Sequence, residues 1–110
     1  MEDTFTLIPN LRAEVTVPPD GILSRILYKS DRLNVTLFGF DAGQELSEHT
    51  AAWPAILEIL DGEAELTLGD ETRVVGPGAW IHMPARLPHS VHARTPLVLL
   101  LVLLREPAGR

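Results

Sequence analysis

The chain contains no cysteine, which excludes a disulfide framework and any zinc site built on thiolates. It is also short of positive charge, because nine Lys and Arg stand against fifteen Asp and Glu and give a formal net charge of −6. The nine basic residues are scattered and form no stripe. Since binding to phosphates requires clustered positive charge, we expect no nucleic-acid partner.

Long apolar segments are absent as well. The most apolar run, 97–104, has eight residues, whereas a membrane helix needs about 20. The N-terminal sequence MEDTFTLIPN has neither a positive n-region nor an apolar h-region, so we expect no signal peptide and no membrane partner. Together with the lack of cysteine, these features predict a cytoplasmic protein.

Helical periodicity is missing too: no stretch of about ten residues between the glycines and prolines repeats its apolar residues at i, i+3 and i+4. Short apolar segments instead recur every eight to twelve residues, roughly, between turn signals, which is typical of an antiparallel sandwich or barrel. With 110 residues, the chain has room for one core. The sequence therefore predicts a single all-β domain.

The domain divides at about residue 20. Pro9, Pro18 and Pro19 remove backbone donors, so we expect residues 1–20 to be an N-terminal arm or edge strands, followed by one barrel over 21–106. Strands are predicted over 22–29, 33–40, 55–60, 63–68, 72–75, 79–83, 89–94 and 97–104. The pair Asp61-Gly62 predicts a type I′ hairpin, and the unbroken Leu/Val sequence of 97–104 predicts burial on both faces.

Two turn-and-histidine stretches, 43–62 and 76–89, stand out from the rest of the chain. The first has Gly43, His49 and Gly62 at fixed spacing, and the second has Pro84 five residues before His89. These stretches resemble the two motifs of the cupin superfamily, in its small conserved-barrel, cupin-2-like form. The resemblance implies an antiparallel double-stranded β-helix, or jelly-roll barrel, that often holds a metal ion.

The family's ligand pattern is only partly present. Of the four family ligand positions, two carry histidine, His49 and His89, and alanine stands at the others, Ala51 and Ala55. The resemblance thus implies His49 and His89 as metal ligands, for one divalent ion of Fe, Mn, Ni or Zn. His82 is a candidate third ligand, because it lies across the loop 84–88 from His89 and strand parity does not fix its direction. It also implies a pocket walled by Ala51, Trp53, Ala55, Arg86 and Ala93, the last two standing where the family has glycine and asparagine.

Strand parity limits the other candidate ligands. A divalent metal in an N/O site normally needs at least three protein ligands. Glu45 shares the face of His49 in an unbroken strand but lies ~13 Å along it, and Glu58 is expected to face away from the pocket. His92, three residues after His89, is likewise expected to face outward.

Three classes of function remain open. The chain is either a metal-dependent enzyme, such as an oxygenase or isomerase, or a metal-free binding module for a small organic molecule, or a structural or sensory barrel. Ala51 and Ala55 favour the binding module, because they enlarge the cavity and remove charge. No set of nucleophile, base and orienting group can be identified, so catalytic residues are not assigned. We expect a homodimer, with strand 97–104 or the edge strands in the interface.

Overall fold

A computed structural model describes residues 4–106 as antiparallel β-structure preceded by an extended arm. Within this range the strands are β1 (Ile22–Lys29), β2 (Leu33–Phe40), β3 (Glu45–His49), β4 (Ala55–Asp61), β5 (Ala64–Leu68), β6 (Glu71–Val75), β7 (Trp80–Met83), β8 (His89–Ala93) and β9 (Leu97–Leu104). The described helical structure is one 3-10 turn, Leu11–Glu14. Accordingly, no helix in this part of the chain is long and apolar enough to cross a membrane.

The strands form two sheets that enclose one core. The larger sheet has the order β1-β2-β9-β4-β7 and the smaller one β3-β8-β5-β6. Successive strands leave one sheet and enter the other several times along the chain, which confirms the predicted antiparallel jelly-roll architecture. The buried core between the sheets consists of Phe40, Ala55, Leu57, Ile59, Ala64, Leu66, Met83, Val91, Ala93, Leu97 and Leu99.

Strand β9 lies at the centre of the larger sheet, paired with β2 on one side and β4 on the other. Because side chains alternate along a strand, Leu97 and Leu99 enter the core while Val98 faces the outside of the sheet. All three are buried, and the five residues that follow are half-buried. The prediction of burial on both faces is therefore met most fully at the start of the strand.

The N-terminal arm covers one end of the outer face of the larger sheet. A Cβ added to Gly39 would lie 3.3 Å from Cγ2 of Val15 and 3.4 Å from that of Val17, so the arm and β2 are in direct contact there. Farther up the arm, Nε of Arg12 donates a hydrogen bond of 3.1 Å to the backbone oxygen of Leu60. The arm thus runs across the sheet from the end of β4 towards β1.

The described part of the first twenty residues runs along the barrel as an arm with one 3-10 turn. Residues 4–20 contain no strand, and residues 1–3 lie outside the described part of the chain. The prolines explain the result, since Pro9, Pro18 and Pro19 interrupt any run of backbone donors that could extend a sheet.

The predicted hairpin at Asp61-Gly62 is wrong. β4 pairs with β7 and β9, whereas β5 pairs with β6 and β8, so the two strands lie in different sheets. Gly62 adopts a φ of 83° and carries the chain across the gap between the sheets. A Cβ at this position would overlap with the backbone oxygen of Pro96, so the crossing requires glycine both for its φ and for its lack of a side chain.

Candidate functional site

His49 ends β3 and His89 begins β8, and the two residues are direct partners in the ladder between these strands. Their ring centroids lie 4.2 Å apart with an interplanar angle of 60°. His89 is buried, at 8% exposure, while His49 is exposed. The structure therefore brings the two predicted histidines together, one inside the barrel and one at its rim.

An irregularity in β3 aims His49 inward. Leu46 pairs with Val91 and His49 with His89, so three residues of β3 match two residues of β8. In an unbroken strand Leu46 and His49 would face opposite sides, whereas here both line the same cavity. The extra residue is a β-bulge in the position where it turns the histidine of the first motif into the barrel.

The same bulge corrects the interpretation of Glu45. Strand parity placed Glu45 on the face of His49, but Glu45 pairs with His92, adjacent to the inward pair Leu46 and Val91, and therefore faces outward. Nδ1 of His92 lies 3.4 Å from Oε1 of Glu45 on this outer surface. His92 thus faces away from the cavity, as parity predicted.

The hydrogen bonds of the two rings fix their tautomers. Nδ1 of His49 lies 2.8 Å from the backbone oxygen of Ser47, and Nδ1 of His89 lies 2.8 Å from that of Leu87. A carbonyl oxygen only accepts, so each neutral ring carries its hydrogen on Nδ1. Each Nε2 is then left with a free lone pair that can accept a hydrogen bond or bind a cation.

A small apolar cavity adjoins the pair. Its walls are His49, His89, Phe38, Leu46, Leu57, Val91, Leu99 and Leu101. The cavity has a volume of ≈ 40 Å³, which is room for about three waters at ~10–15 Å³ each, so a ligand with a ring would extend past His49, the exposed member of the pair. Apart from the two imidazoles, all its side chains are apolar, so any polar group that enters must be met by His49 or His89.

Among residues 4–106, no third metal ligand joins the two histidines. His82 pairs with Ile56, the neighbour of the cavity residue Leu57, so it lies on the opposite face of the sheet and is exposed. Glu58 also follows Leu57 and faces outward, in agreement with the sequence prediction. Between residues 4 and 106, no group of three His, Cys, Asp or Glu side chains could hold a metal ion. Two imidazoles do not fit the divalent metal that the resemblance implies.

The five predicted pocket residues lie elsewhere. None of Ala51, Trp53, Ala55, Arg86 and Ala93 is among the walls of the cavity. Ala55 and Ala93 are buried in the core, and the backbone oxygen of Ala51 accepts a 2.8 Å hydrogen bond from the backbone N–H of Arg86. The Trp53 ring lies under the guanidinium of Arg105, which is 5.0 Å from the ring centroid.

The apolar walls that the sequence analysis missed come from the inward positions of neighbouring strands and from the bulge. Phe38, Leu57, Leu99 and Leu101 lie on adjacent strands of the larger sheet, and the register places them on its inner face. The period-two pattern of β2 could have identified Phe38 once its neighbours in the sheet were known. The pairing of β2 and β4 with β9 joins residues far apart in sequence, and no local pattern encodes it.

Comparison with known proteins agrees with this architecture. The model of the family described as the Cupin domain matches residues 36–103, and the chain belongs to this family. Among solved structures, it is similar to a conserved Streptococcus pyogenes protein of unknown function, with 37% identity, 98% of this chain and 93% of that chain covered, and a TM-score of 0.83. A cupin superfamily protein from Desulfitobacterium hafniense is 25% identical, with 94% of each chain covered and a TM-score of 0.84.

A curated relative is more distant. An uncharacterized protein from Streptomyces coelicolor is 28% identical over 88 residues, which cover 80% of this chain and 83% of the relative. These similarities define the class of protein but identify no substrate, so the function has to be argued from the cavity itself.

Proposed function

We propose that this cupin binds a small, largely apolar organic molecule that carries one hydrogen-bond donor. The apolar part lies among Phe38, Leu57 and Leu99, and the donor meets Nε2 of His49 or His89. The observation that carries the proposal is the pair of bonds from Nδ1 to backbone oxygens, 2.8 Å each, which present both rings as acceptors beside an otherwise apolar cavity.

The energetics favour a ligand with one donor over a purely apolar one. Burying an imidazole nitrogen without a partner costs about 1–3 kcal/mol, and a donor on the ligand removes that penalty. Selectivity for such a donor should be about tenfold, since one net hydrogen bond contributes about 1–1.5 kcal/mol. A ligand larger than the cavity would extend past His49, the exposed member of the pair.

Phenol and toluene test this directly, because the two molecules have nearly the same shape and differ in that the hydroxyl donor of phenol replaces the methyl group of toluene. Titrations followed by amide chemical shifts should show tighter binding of phenol. The preference should disappear in the double variant His49→Leu/His89→Leu, which removes both acceptors, while His92→Leu, on the outer face, serves as the matched control and keeps it. Equal affinity for both probes in the unmodified protein would reject the proposal.

The metal-dependent enzyme, an oxygenase or isomerase, is the second candidate, favoured by the same two Nε2 lone pairs. Elemental analysis of untagged protein purified without chelator separates the two. Our proposal expects substoichiometric Fe, Mn, Ni and Zn, and phenol binding unchanged by EDTA. Near-stoichiometric metal that is lost in both His49→Ala and His89→Ala would replace the binding module with a metal centre.

A further inference from the structure

The mouth of the barrel is the end at which β9 finishes, and it carries an arginine, Arg105, on its inner side. The backbone N–H of Arg105 donates a 2.8 Å hydrogen bond to the backbone oxygen of Arg32, so the ladder between β9 and β2 continues to this residue. Leu103 packs against the core, and side chains two residues apart share a face of a strand. Arg105 therefore follows Leu103 on the inner face of the larger sheet.

Two contacts hold the guanidinium of Arg105 and leave one of its edges unused. Nη1 donates a 3.1 Å hydrogen bond to the backbone oxygen of Ser30, and Cζ lies 5.0 Å from the ring centroid of Trp53. Nε and Nη2 make no hydrogen bond to the residues that the structure describes, and Nε is buried. The N–H groups of Nε and Nη2 point the same way along one edge of the planar group, and such an edge binds both oxygens of a carboxylate. We call this edge the guanidinium fork.

Asn34 is a second polar group without a partner at the mouth. It is the ladder partner of Leu103, which makes it a diagonal neighbour of Arg105 at ~7–8 Å between Cα atoms. Its Oδ1 is buried and has no hydrogen-bond partner within the described range of the chain. Because an amide carries an acceptor and two donors on one planar group, a half-turn of the side-chain amide presents Nδ2 where Oδ1 lies. Both residues can then donate to one anion.

No acidic side chain of residues 4–106 pairs with the guanidinium fork. The ion pairs between described residues are Arg25 with Glu14, Arg73 with Glu71, His92 with Glu45 and Arg94 with Glu63. Arg105 belongs to none of these pairs, although it is half-buried. Since a charge that is partly removed from water is stabilised by an opposite charge, the fork is suited to an anion from outside the chain.

The histidine pair lies at the same end of the barrel as the fork. One connection leads from His49 to Ala55 at the start of β4, and another leads from Met83 at the end of β7 to His89. Ala55 and Met83 are ladder partners, and Ala55 also pairs with Leu103, two residues before the fork. The mouth is therefore the direction in which a ligand too large for the cavity extends.

The inner wall becomes more polar between the cavity and the mouth. Leu101 lines the cavity, and Arg105 follows four residues later, ~13 Å along β9. Over the same distance the inner positions of β2 change from Phe38 through Thr36 to Asn34. A molecule whose ring lies at the cavity thus meets apolar walls at one end and hydrogen-bond donors at the other.

We propose that the guanidinium fork binds the carboxylate of the small molecule that occupies the cavity, and that this molecule is a hydroxyaryl carboxylic acid. Its hydroxyl donates to Nε2 of His49 or His89, its ring extends towards the mouth, and its carboxylate accepts from Arg105 and from Nδ2 of Asn34. A rotation of the Arg105 side chain admits the carboxylate to Nε. The hydroxyl end rests on the function proposed above, whereas the carboxylate end rests on Arg105 and Asn34.

Four probes test the two ends separately: 3-(4-hydroxyphenyl)propanoate, 3-phenylpropanoate and the primary amide of each. Titrations followed by backbone amide chemical shifts should show that each carboxylate binds about tenfold or more tightly than its amide, because hydrogen bonds to charged groups are the stronger ones. Equal affinity of carboxylates and amides overturns the inference. A carboxylate preference without a hydroxyl preference supports the fork and contradicts the function proposed for the histidines.

Variants of two arginines separate the fork from a general attraction to positive charge. Arg105→Met should abolish the carboxylate preference, and Arg105→Lys, which keeps the charge and lacks the planar fork, should lose most of it. Arg32→Met is the matched control, because it removes the same charge from the ladder partner of Arg105 and leaves the fork in place. An equal loss in Arg32→Met and Arg105→Met overturns the inference.

The unmodified protein gives a direct readout that does not depend on how well a variant folds. The Nε–H group of Arg105 is buried, so it should exchange slowly with water and give its own signal in ¹H–¹⁵N spectra. Binding of 3-phenylpropanoate should move the hydrogen chemical shift of this signal downfield, as expected for a hydrogen bond to a charged acceptor, and 3-phenylpropanamide should move it much less. An unmoved signal in the carboxylate complex rejects Arg105 as the binding group.

Discussion

His49 and His89 face each other across the ladder between β3 and β8 at 4.2 Å between ring centroids, and each ring is anchored by its Nδ1 to the backbone oxygen two residues before it. The two anchors are equivalent although one residue is buried and the other exposed. They orient the two imidazoles side by side with Nδ1 bound to the backbone, which is the chemical basis of the proposed site.

This arrangement predicts the nitrogen chemical shifts of both rings. In the neutral form of each ring, Nε2 of His49 and of His89 should have the ¹⁵N chemical shift of an unprotonated nitrogen. Nδ1 of each ring should have the ¹⁵N chemical shift of a protonated nitrogen, because the carbonyl oxygen that it contacts cannot donate a hydrogen. Long-range ¹H–¹⁵N correlation spectra measure this directly. A ring of His89 protonated at Nε2 would contradict the hydrogen bond to Leu87 and the proposed acceptor role with it.

Gly62 should tolerate no side chain. An alanine Cβ would overlap with the backbone oxygen of Pro96 and would also need the left-handed φ of 83°. We expect Gly62→Ala to lower the free energy of unfolding by about 3–5 kcal/mol.

Gly78 provides the control for this prediction, because it has a φ of 93° and no atom within 4 Å of the position that an alanine methyl group would take. Gly78→Ala should cost only the backbone term, about 1–2 kcal/mol. Urea denaturation of both variants separates the two effects. Equal losses would mean that the crossing between the sheets relaxes around the added methyl group.

The crossing at Gly62 shows which parts of the fold can be predicted from local sequence signals. Local signals located the turns and most strands, because glycine, proline and period-two alternation act within a few residues. At Asp61-Gly62 the local signal was a turn, and whether that turn joins paired strands or crosses between sheets depends on β9, which lies more than thirty residues farther on. The turn itself was predictable, and the identity of its partners was not.

The site shows a second limit. His49 and His89 were found from motif spacing, but the inward direction of His49 depends on a bulge between Leu46 and His49. Strand parity assumes an unbroken ladder, so one extra residue reverses the assignment of Glu45. The pairing of Leu46 with Val91 creates the bulge, and it is a contact between distant segments that neither motif contains.

Arg86 should be a destabilising residue. It has a φ of 68°, in the left-handed region that glycine adopts freely, and glycine is what the family motif has at this position. Its backbone N–H still donates to Ala51. Arg86→Gly should therefore raise the free energy of unfolding by about 0.5–1 kcal/mol, the relief of left-handed strain less the added freedom of the unfolded chain.

Denaturation by urea measures this change, and Arg94→Gly is the control. Arg94 is an exposed arginine that does not have a positive φ, so its replacement by glycine should be neutral or destabilising. A loss of stability in Arg86→Gly would mean that the arginine side chain makes contacts worth more than the strain.

Replacements of Leu99 and Leu97 compare a residue that lines the cavity with a core residue that does not. Both are buried on the inner face of β9, at 2% and 0% exposure, but only Leu99 is among the walls of the cavity. Replacing either by alanine should lower the free energy of unfolding by about 2–5 kcal/mol, since each change removes buried methyl groups and leaves a void.

Binding of benzene distinguishes the two variants. In Leu99→Ala the new void joins the existing cavity, so benzene should bind more tightly than to the unmodified protein and should recover part of the lost stability. In Leu97→Ala the void is separate from the histidines, and phenol should show no change in its preference over toluene. If Leu97→Ala altered that preference, the apolar part of the ligand would lie deeper in the core than the cavity indicates, because only a residue that touches the ligand can change its selectivity so directly.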